Sequence, residues 1–180
     1  MPTKDELIRR ISRLEIENKR LKEQLSVSES LSGILAEKFI CAQVNGVQSQ
    51  SIVASYDLRS ASGARIEVKY SRLSTPNKSA STRRWVWSRP LGATDSKRFD
   101  RLILVGEVDP RYIDQYIDPS PLYVIFDIPF SSIPLLISAN KFIQTTTNPK
   151  RAYGNIAHKL FHKFQIGIKQ LKQRYRKRKP

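Results

Sequence analysis

Apolar positions along the chain follow three successive patterns, and each predicts its own kind of element. Over residues 4–25, Leu7, Ile11, Leu14, Asn18, Leu21 and Leu25 recur at alternating steps of four and three. That is the seam of a coiled coil, with Ile11, Asn18 and Leu25 at position a and Leu7, Leu14 and Leu21 at position d. β-Branched residues or Asn at a, with Leu at d, favour two parallel strands, and Asn18 pairing with its own copy fixes the register. Arg10 with Glu15, and Glu17 with Lys22, supply attractive flanking pairs in that arrangement. The pattern therefore predicts a homodimer through a parallel coiled coil over residues 1–28. The competing reading is a single amphipathic helix packed on its own domain.

After a polar joint at residues 27–32, Leu31, Ile34, Leu35 and Phe39 recur at helical spacing, and Asn45-Gly46 offers a stop. The period then shortens to two. Residues 52–56 and 65–71 predict strands, joined by a Ser- and Gly-rich turn at 60–63. In the second strand Ile66, Val68 and Tyr70 face one way and Arg65, Glu67 and Lys69 the other. Residues 71–82 predict a polar loop. Residues 84–88 predict a short strand whose Trp85 and Trp87 share a face and are expected as core or cover rather than as a base-stacking platform. Residues 90–97 follow as a loop. The runs 101–106 and 122–128 are strongly apolar and predict central strands. Asp109, Asp114 and Asp118 between them read as turn residues of a surface excursion. Helical spacing returns at the end: Tyr153, Ile156, Ala157, Leu160, Phe161, Phe164, Ile168 and Leu171 predict a C-terminal helix within residues 150–180.

Charge adds a partner to this outline. The chain carries a net charge of +16, which draws it to polyanions, nucleic acid first. No acid follows Asp127, and residues 141–180 hold 12 of the 32 basic side chains. Lys159, Lys163, Lys169 and Lys172 lie largely off the apolar stripe and, with Arg174 and Arg176, predict a phosphate-contacting face. Arg72, Lys78, Arg83 and Arg84 predict a second DNA-facing segment, with solvated loop charge as the plainer alternative. For the basic tail, the weaker rivals are an anionic membrane surface and a localisation signal.

Other features narrow the class by what they exclude. The single cysteine, Cys41, rules out an internal disulfide and argues against a cysteine zinc site. His158 and His162 share a helix face, but nothing near them completes a metal site. There is no signal peptide, Walker loop or nucleophile elbow to read. The longest apolar run, residues 122–137, is broken by Asp127, Pro129 and Pro134. A cytoplasmic protein (nucleoid-associated, or nuclear in a eukaryote) is expected, with no membrane and no small-molecule cofactor.

Candidate chemistry sits at the hairpin. A strand with one apolar face has no packing reason to place an acid and a base two residues apart on the other. Chemistry supplies one: a carboxylate holds a divalent cation, and a lysine stands beside the water which that cation activates. Asp57, the only acid between Glu37 and Glu67, can supply a second carboxylate. This set, an aspartate at a strand end followed by a hairpin and then Glu67-Val68-Lys69, resembles the signature of the PD-(D/E)xK nuclease superfamily. The resemblance covers about residues 30–130, with Tyr56 where the family often has proline. It implies an α/β fold over residues 29–180, a restriction-endonuclease-like mixed central sheet flanked by helices on both sides, with the site at one sheet edge. The coiled-coil helix precedes this domain and the basic helix ends it. It further implies Mg²⁺, with Mn²⁺ as a substitute, on Asp57, Glu67 and the Val68 carbonyl. Lys69 would orient or deprotonate the attacking water. Glu37, on the first core helix, is either a further ligand or an exposed helix glutamate.

The expected function is a homodimeric, restriction-type endodeoxyribonuclease that breaks both strands of DNA. A structure-specific or homing-type nuclease of the same superfamily is one alternative. A non-catalytic dimeric DNA-binding protein on the same fold is the other. One departure from the family pattern is visible. Its core has a helix after the third strand, whereas residues 88–101 are short and loop-like.

Overall fold

The computed structural model describes residues 10, 11, 14, 15, 28, 30–50, 55–92, 94, 96–150 and 161–176, and the chain divides into two compact units, Met1–Leu35 and Ala36–Pro180. In the first unit, residues 10, 11, 14, 15, 28 and 30–35 are helical. Ile11, Leu14, Leu31, Ile34 and Leu35 are all exposed there. Leu7, Asn18, Leu21 and Leu25 of the expected seam lie outside the described residues. Leu31, Ile34 and Leu35 are helical, as their spacing predicts, but they do not build the core. The core-facing positions are Ala36 and Ile40 of the helix and Val44 of the turn that follows it, four apart and almost fully buried.

The second unit is a mixed α/β structure. Its strands are β1 (Val47–Gln48), β2 (Leu58–Arg59), β3 (Arg65–Ser71), β4 (Arg84–Ser88), β5 (Arg101–Glu107), β6 (Tyr123–Pro129), β7 (Phe142–Thr146) and β8 (Gln165–Ile166). Helix α1 spans residues 36–43 and α2 is Ile168–Tyr175. Helix α1 stops where expected: Asn45 turns to φ 46° and the Gly46 amide donates to the Cys41 carbonyl at 2.9 Å. Six strands form one sheet in the order β1-β2-β3-β5-β6-β8. All neighbours are antiparallel except β3 and β5, which run parallel with Glu67 opposite Leu102. The two apolar strands, β5 and β6, are central, as their composition predicts.

Alternation assigns the faces. Ile66 and Val68 of β3 join Ile103, Val105, Ile125 and Ile166 on one side, beneath Ala36 and Ile40 of α1 and Leu171 and Tyr175 of α2. On the other side Leu102, Leu104, Phe126 and Ile128 meet Trp85, Trp87, Ile143 and Phe161. This second cover is a two-stranded antiparallel sheet, β4 with β7, not the expected helix layer. The physical cause is the crossover. Parallel strands need a long connection, usually helical; here residues 72–100 supply β4 instead, because Arg84-Trp85-Val86-Trp87 has period two. The two tryptophans are fully buried and pinned: Trp85 Nε1 donates to the Glu107 carbonyl at 2.8 Å and Trp87 Nε1 to that of Val105 at 3.0 Å. Gly106 makes the seat possible, since a Cβ there would stand 2.6 Å from the Trp85 ring.

Three other expectations are corrected. Of the strand expected at 52–56, residues 52–54 lie outside the described residues, 55 and 56 are bends, and β2 begins only at Leu58, after Asp57. The C-terminal stripe is not one helix. Residues 161 and 162 are helical, the chain then turns, β8 pairs with β6 through Ile166 and Ile125, and α2 follows Gly167. A strand is needed there because β6 otherwise ends the sheet with an open edge. Tyr153, Ile156, Ala157 and Leu160 lie outside the described residues. Asp109 is fully buried rather than superficial, with its carboxylate on Arg111 and Thr147. No helix among the described residues is long and apolar enough to cross a membrane.

Candidate active site

The turn at residues 60–63 folds β2 onto β3 and brings Asp57 beside Glu67. Ser60 closes it by donating its amide to the Ala64 carbonyl at 2.9 Å, and Gly63 takes φ 89°, a conformation that suits glycine. The Asp57 amide then donates to the Ile66 carbonyl at 3.0 Å, and Asp57 Oδ2 accepts from the Val68 amide at 2.8 Å. The aspartate is thus clamped across the hairpin with its Oδ1 turned to the cluster. Glu67, at the centre of β3, is fully buried on the face opposite Ile66 and Val68. Lys69 follows on the same face, and its Nζ lies 2.8 Å from Glu67 Oε1. The three residues of the sequence motif therefore meet.

A fourth member was not visible in the sequence. Lys97, in the loop before β5, places its Nζ 2.5 and 2.7 Å from the two oxygens of Glu67 and 3.4 Å from Asp57 Oδ1. One ammonium thus bridges both carboxylates. The sequence signal was faint: a single lysine in a polar loop, informative only once parallel pairing of β3 with β5 carries the start of β5 alongside Glu67.

Electrostatics follow from this crowding. Burial and then the charge of Asp57 push Glu67 up, while Lys69 and Lys97 pull it back. Glu37, half-buried on α1, is pushed up from 4.5 to about 7, chiefly by burial and then by Asp57. Its coupling to Asp57, Lys69, Glu67 and Lys97 joins it electrostatically to the site. For Lys97, burial lowers the proton affinity, but the bonds to Glu67 and Asp57 outweigh it and the net shift is upward.

No protein-family model and no curated protein matches the chain. Asp57 and Glu67 converge closely enough to share a single cation, as the Lys97 ammonium between them demonstrates. Hard oxygen donors in that number suit Mg²⁺, which uses one or two carboxylates and fills its remaining positions with water. No group of three or more His, Cys, Asp or Glu able to hold a metal exists among the described residues. A metal here would therefore rely on two carboxylates, with the Val68 carbonyl as the third protein donor that the resemblance implies.

The basic residues divide in two. Lys163, Lys169, Lys172 and Arg176 are exposed, and so is Lys78 in the loop after β3. Lys169, Lys172 and Arg176 border an open depression of about 500 Å³ with Gln43 and Asn45. Arg176 also borders a larger groove, about 1180 Å³, between the 61–63 turn and α2. Neither groove is lined by the carboxylates. Other predicted contacts hold internal partners. Arg174 Nη1 lies 2.5 Å from Asp127, Arg83 Nη1 lies 3.6 Å from Asp109, and Arg84 Nη1 donates to Gln144 at 3.3 Å. Arg72 is half-buried, and Lys159 and His158 lie outside the described residues. His162 packs against the rings of Phe126 and Phe161, the bland role expected for it.

Proposed function

We propose that the chain is a metal-dependent endonuclease of the PD-(D/E)xK type that hydrolyses DNA phosphodiester bonds. The observation that carries this reading is the convergence of Asp57 and a fully buried Glu67 on one cation position, with Lys69 2.8 Å from Glu67. A phosphodiester resists attack because its centre is ringed by negative oxygens. Mg²⁺ held by Asp57, Glu67 and the Val68 carbonyl would supply Lewis acidity and lower the pKa of bound water. The protein's share is orientation and charge. The Val68 amide fixes Asp57, β3 fixes Glu67, and Lys69 presents an ammonium to the attacking water or to the charge that develops on phosphate. A restriction-endonuclease-like core is supported by the mixed sheet and by the acid-x-lysine on its third strand.

Exposed Lys169, Lys172 and Arg176 would supply sequence-independent contacts to phosphate. A dimer through residues 1–28 would match the two-fold symmetry of a palindromic site and let each copy cut one strand. Supporting it, Ile11 and Leu14 leave about half of their surfaces to solvent.

The test is nicking and linearisation of supercoiled plasmid by purified protein with Mg²⁺ and with EDTA, beside Glu67→Gln and Lys69→Ala. Mg²⁺-dependent cutting, lost in both folded variants, is the expected result. Tight DNA binding without cutting of duplex, branched or single-stranded substrates would replace the nuclease by a dimeric DNA-binding protein. Discrete genomic fragments would select the restriction-type form over a structure-specific one.

A further inference from the structure

Lys97 is the member of the cluster that hydrolysis as described leaves without a task, and several features of the fold aim it. Its stem crosses Gly92: a Cβ on that residue would stand 3.1 Å from Lys97 Cγ and 3.6 Å from Cδ. Gly92, at φ 84°, thus both makes the turn and leaves the path of the lysine open. The Gly92 amide donates to the Arg89 carbonyl at 2.9 Å, and the Lys97 amide to that of Leu91 at 3.2 Å. Downstream, Phe99 is buried edge-on to Phe130, and Asp100 pairs with Arg65 at 2.8 Å. The loop is therefore tied on both sides of Lys97. Its ammonium stands between Asp57 Oδ1 and the two Glu67 oxygens, where the nuclease reading places a divalent cation, and two cations cannot occupy that one position at once.

We propose that Lys97 is a resident cation of the Asp57–Glu67 pair, which holds the two carboxylates together in metal-free protein and competes with Mg²⁺ for their oxygens. This positioning role rests on the reading of the pair as a metal site. It makes metal uptake a cation exchange, coupled to withdrawal of Lys97 and loosening of its turn. The gain for the fold is that Glu67 is never left buried beside Asp57 with Lys69 alone to balance it.

Mn²⁺ is titrated calorimetrically into the full chain, into Lys97→Met and into Lys97→Gln, with Glu67→Gln as the control. Amide exchange of Gly92 and Lys97 is followed in the unaltered chain with and without saturating Mn²⁺. Both lysine variants are expected to bind Mn²⁺ about 10–100-fold more tightly, the scale of removing a competing charge-assisted hydrogen bond. The two amides are expected to exchange faster when Mn²⁺ is bound. Equal or weaker affinity in the variants, or unchanged exchange in the unaltered chain, overturns the competition and leaves metal-dependent cleavage standing. No Mn²⁺ binding by any of the proteins overturns both. Should neither lysine variant fold, the exchange measurement on the unaltered chain decides alone.

Discussion

Two buried carboxylates sit on opposite faces of the same sheet, and they are neutralised in different ways. Asp127 of β6 faces the helices. Arg101 Nε lies 2.7 Å from its Oδ1, Arg174 Nη1 2.5 Å from its Oδ2, and the Tyr175 hydroxyl donates at 3.0 Å. Glu67 of β3 faces the β4–β7 layer, and its partners are two lysines. Guanidinium is a planar fork that stays charged and fixes direction; ammonium is a compact, strongly hydrated charge on a flexible stem. Asp127 also ties two parts of the fold together, β6 and α2, whereas Glu67 has Asp57 and Glu37 crowding it with like charge. Strong directional partners make a clamp. Exchangeable partners beside like charges make a site that gains from a better cation. The difference teaches that burial of a carboxylate says little until the chemistry of its partners is named.

Substitution separates the two regions most sharply. Glu67→Gln should lower plasmid cleavage by about a thousandfold or more, the scale of losing several kcal/mol of metal-borne charge stabilisation. Its thermal midpoint should stay close to the parent's, because a site that already disfavours the charged acid accepts the neutral amide. Asp127→Ala should do the reverse. Removing one side of a buried ion-pair network costs about 3–5 kcal/mol, read as a lower urea midpoint, while Mn²⁺ affinity of the folded fraction is unchanged. Loss of Mn²⁺ binding in Asp127→Ala, or unfolding of Glu67→Gln, would erase the contrast.

A pH titration gives a smaller effect on the site side alone. Glu37 has a folded pKa of about 7, above its ordinary 4.5. The folded state therefore favours its protonated form. That contribution is complete below about pH 4.5 and is lost as pH rises through about 7. After a discount for partial exposure, Glu37→Gln should remove about 1–2 kcal/mol of falling stability across that window in EDTA. Parallel pH profiles for parent and variant would sink the assignment. The smallest effect is expected at Arg65–Asp100, where the side chains keep 40% and 45% of their exposure. Asp100→Asn should cost under about 1 kcal/mol by urea denaturation, and less at high salt.

Periodicity made β3, β4, β5 and β6 legible, because a half-buried or central strand imprints its faces on the sequence. The motif residues were legible for a related reason: Glu67 and Lys69 put an acid and a base two residues apart on the face opposite the apolar one. What escaped was non-local. Lys97 belongs to the site only through the register of two parallel strands, which no local pattern encodes. Residues 142–146 were not legible because the buried positions of that strand are Ile143, Thr145 and Thr146, so its inner face shows no apolar alternation of the kind that marks β4. The C-terminal helix was overextended for a related cause: β8 interrupts its helical stripe because the open edge of β6 outweighs local propensity. Leu31, Ile34 and Leu35 are helical as their spacing predicts, but spacing alone did not tell that they stay exposed.

The parallel pairing of β3 with β5 also sets an order of events in folding. Asp57 and the Val68 amide are 11 residues apart and meet through a short hairpin, but Lys97 and Glu67 are 30 apart and meet only after the crossover closes. Local hairpins form in about microseconds, whereas non-local pairings wait on the entropy of closing a longer loop. The two acids are therefore brought face to face before the lysine that reconciles them arrives. A divalent cation present during refolding can take that place early, so refolding of this domain should run faster in Mg²⁺ than in EDTA, with the gain confined to the hairpin-first stage.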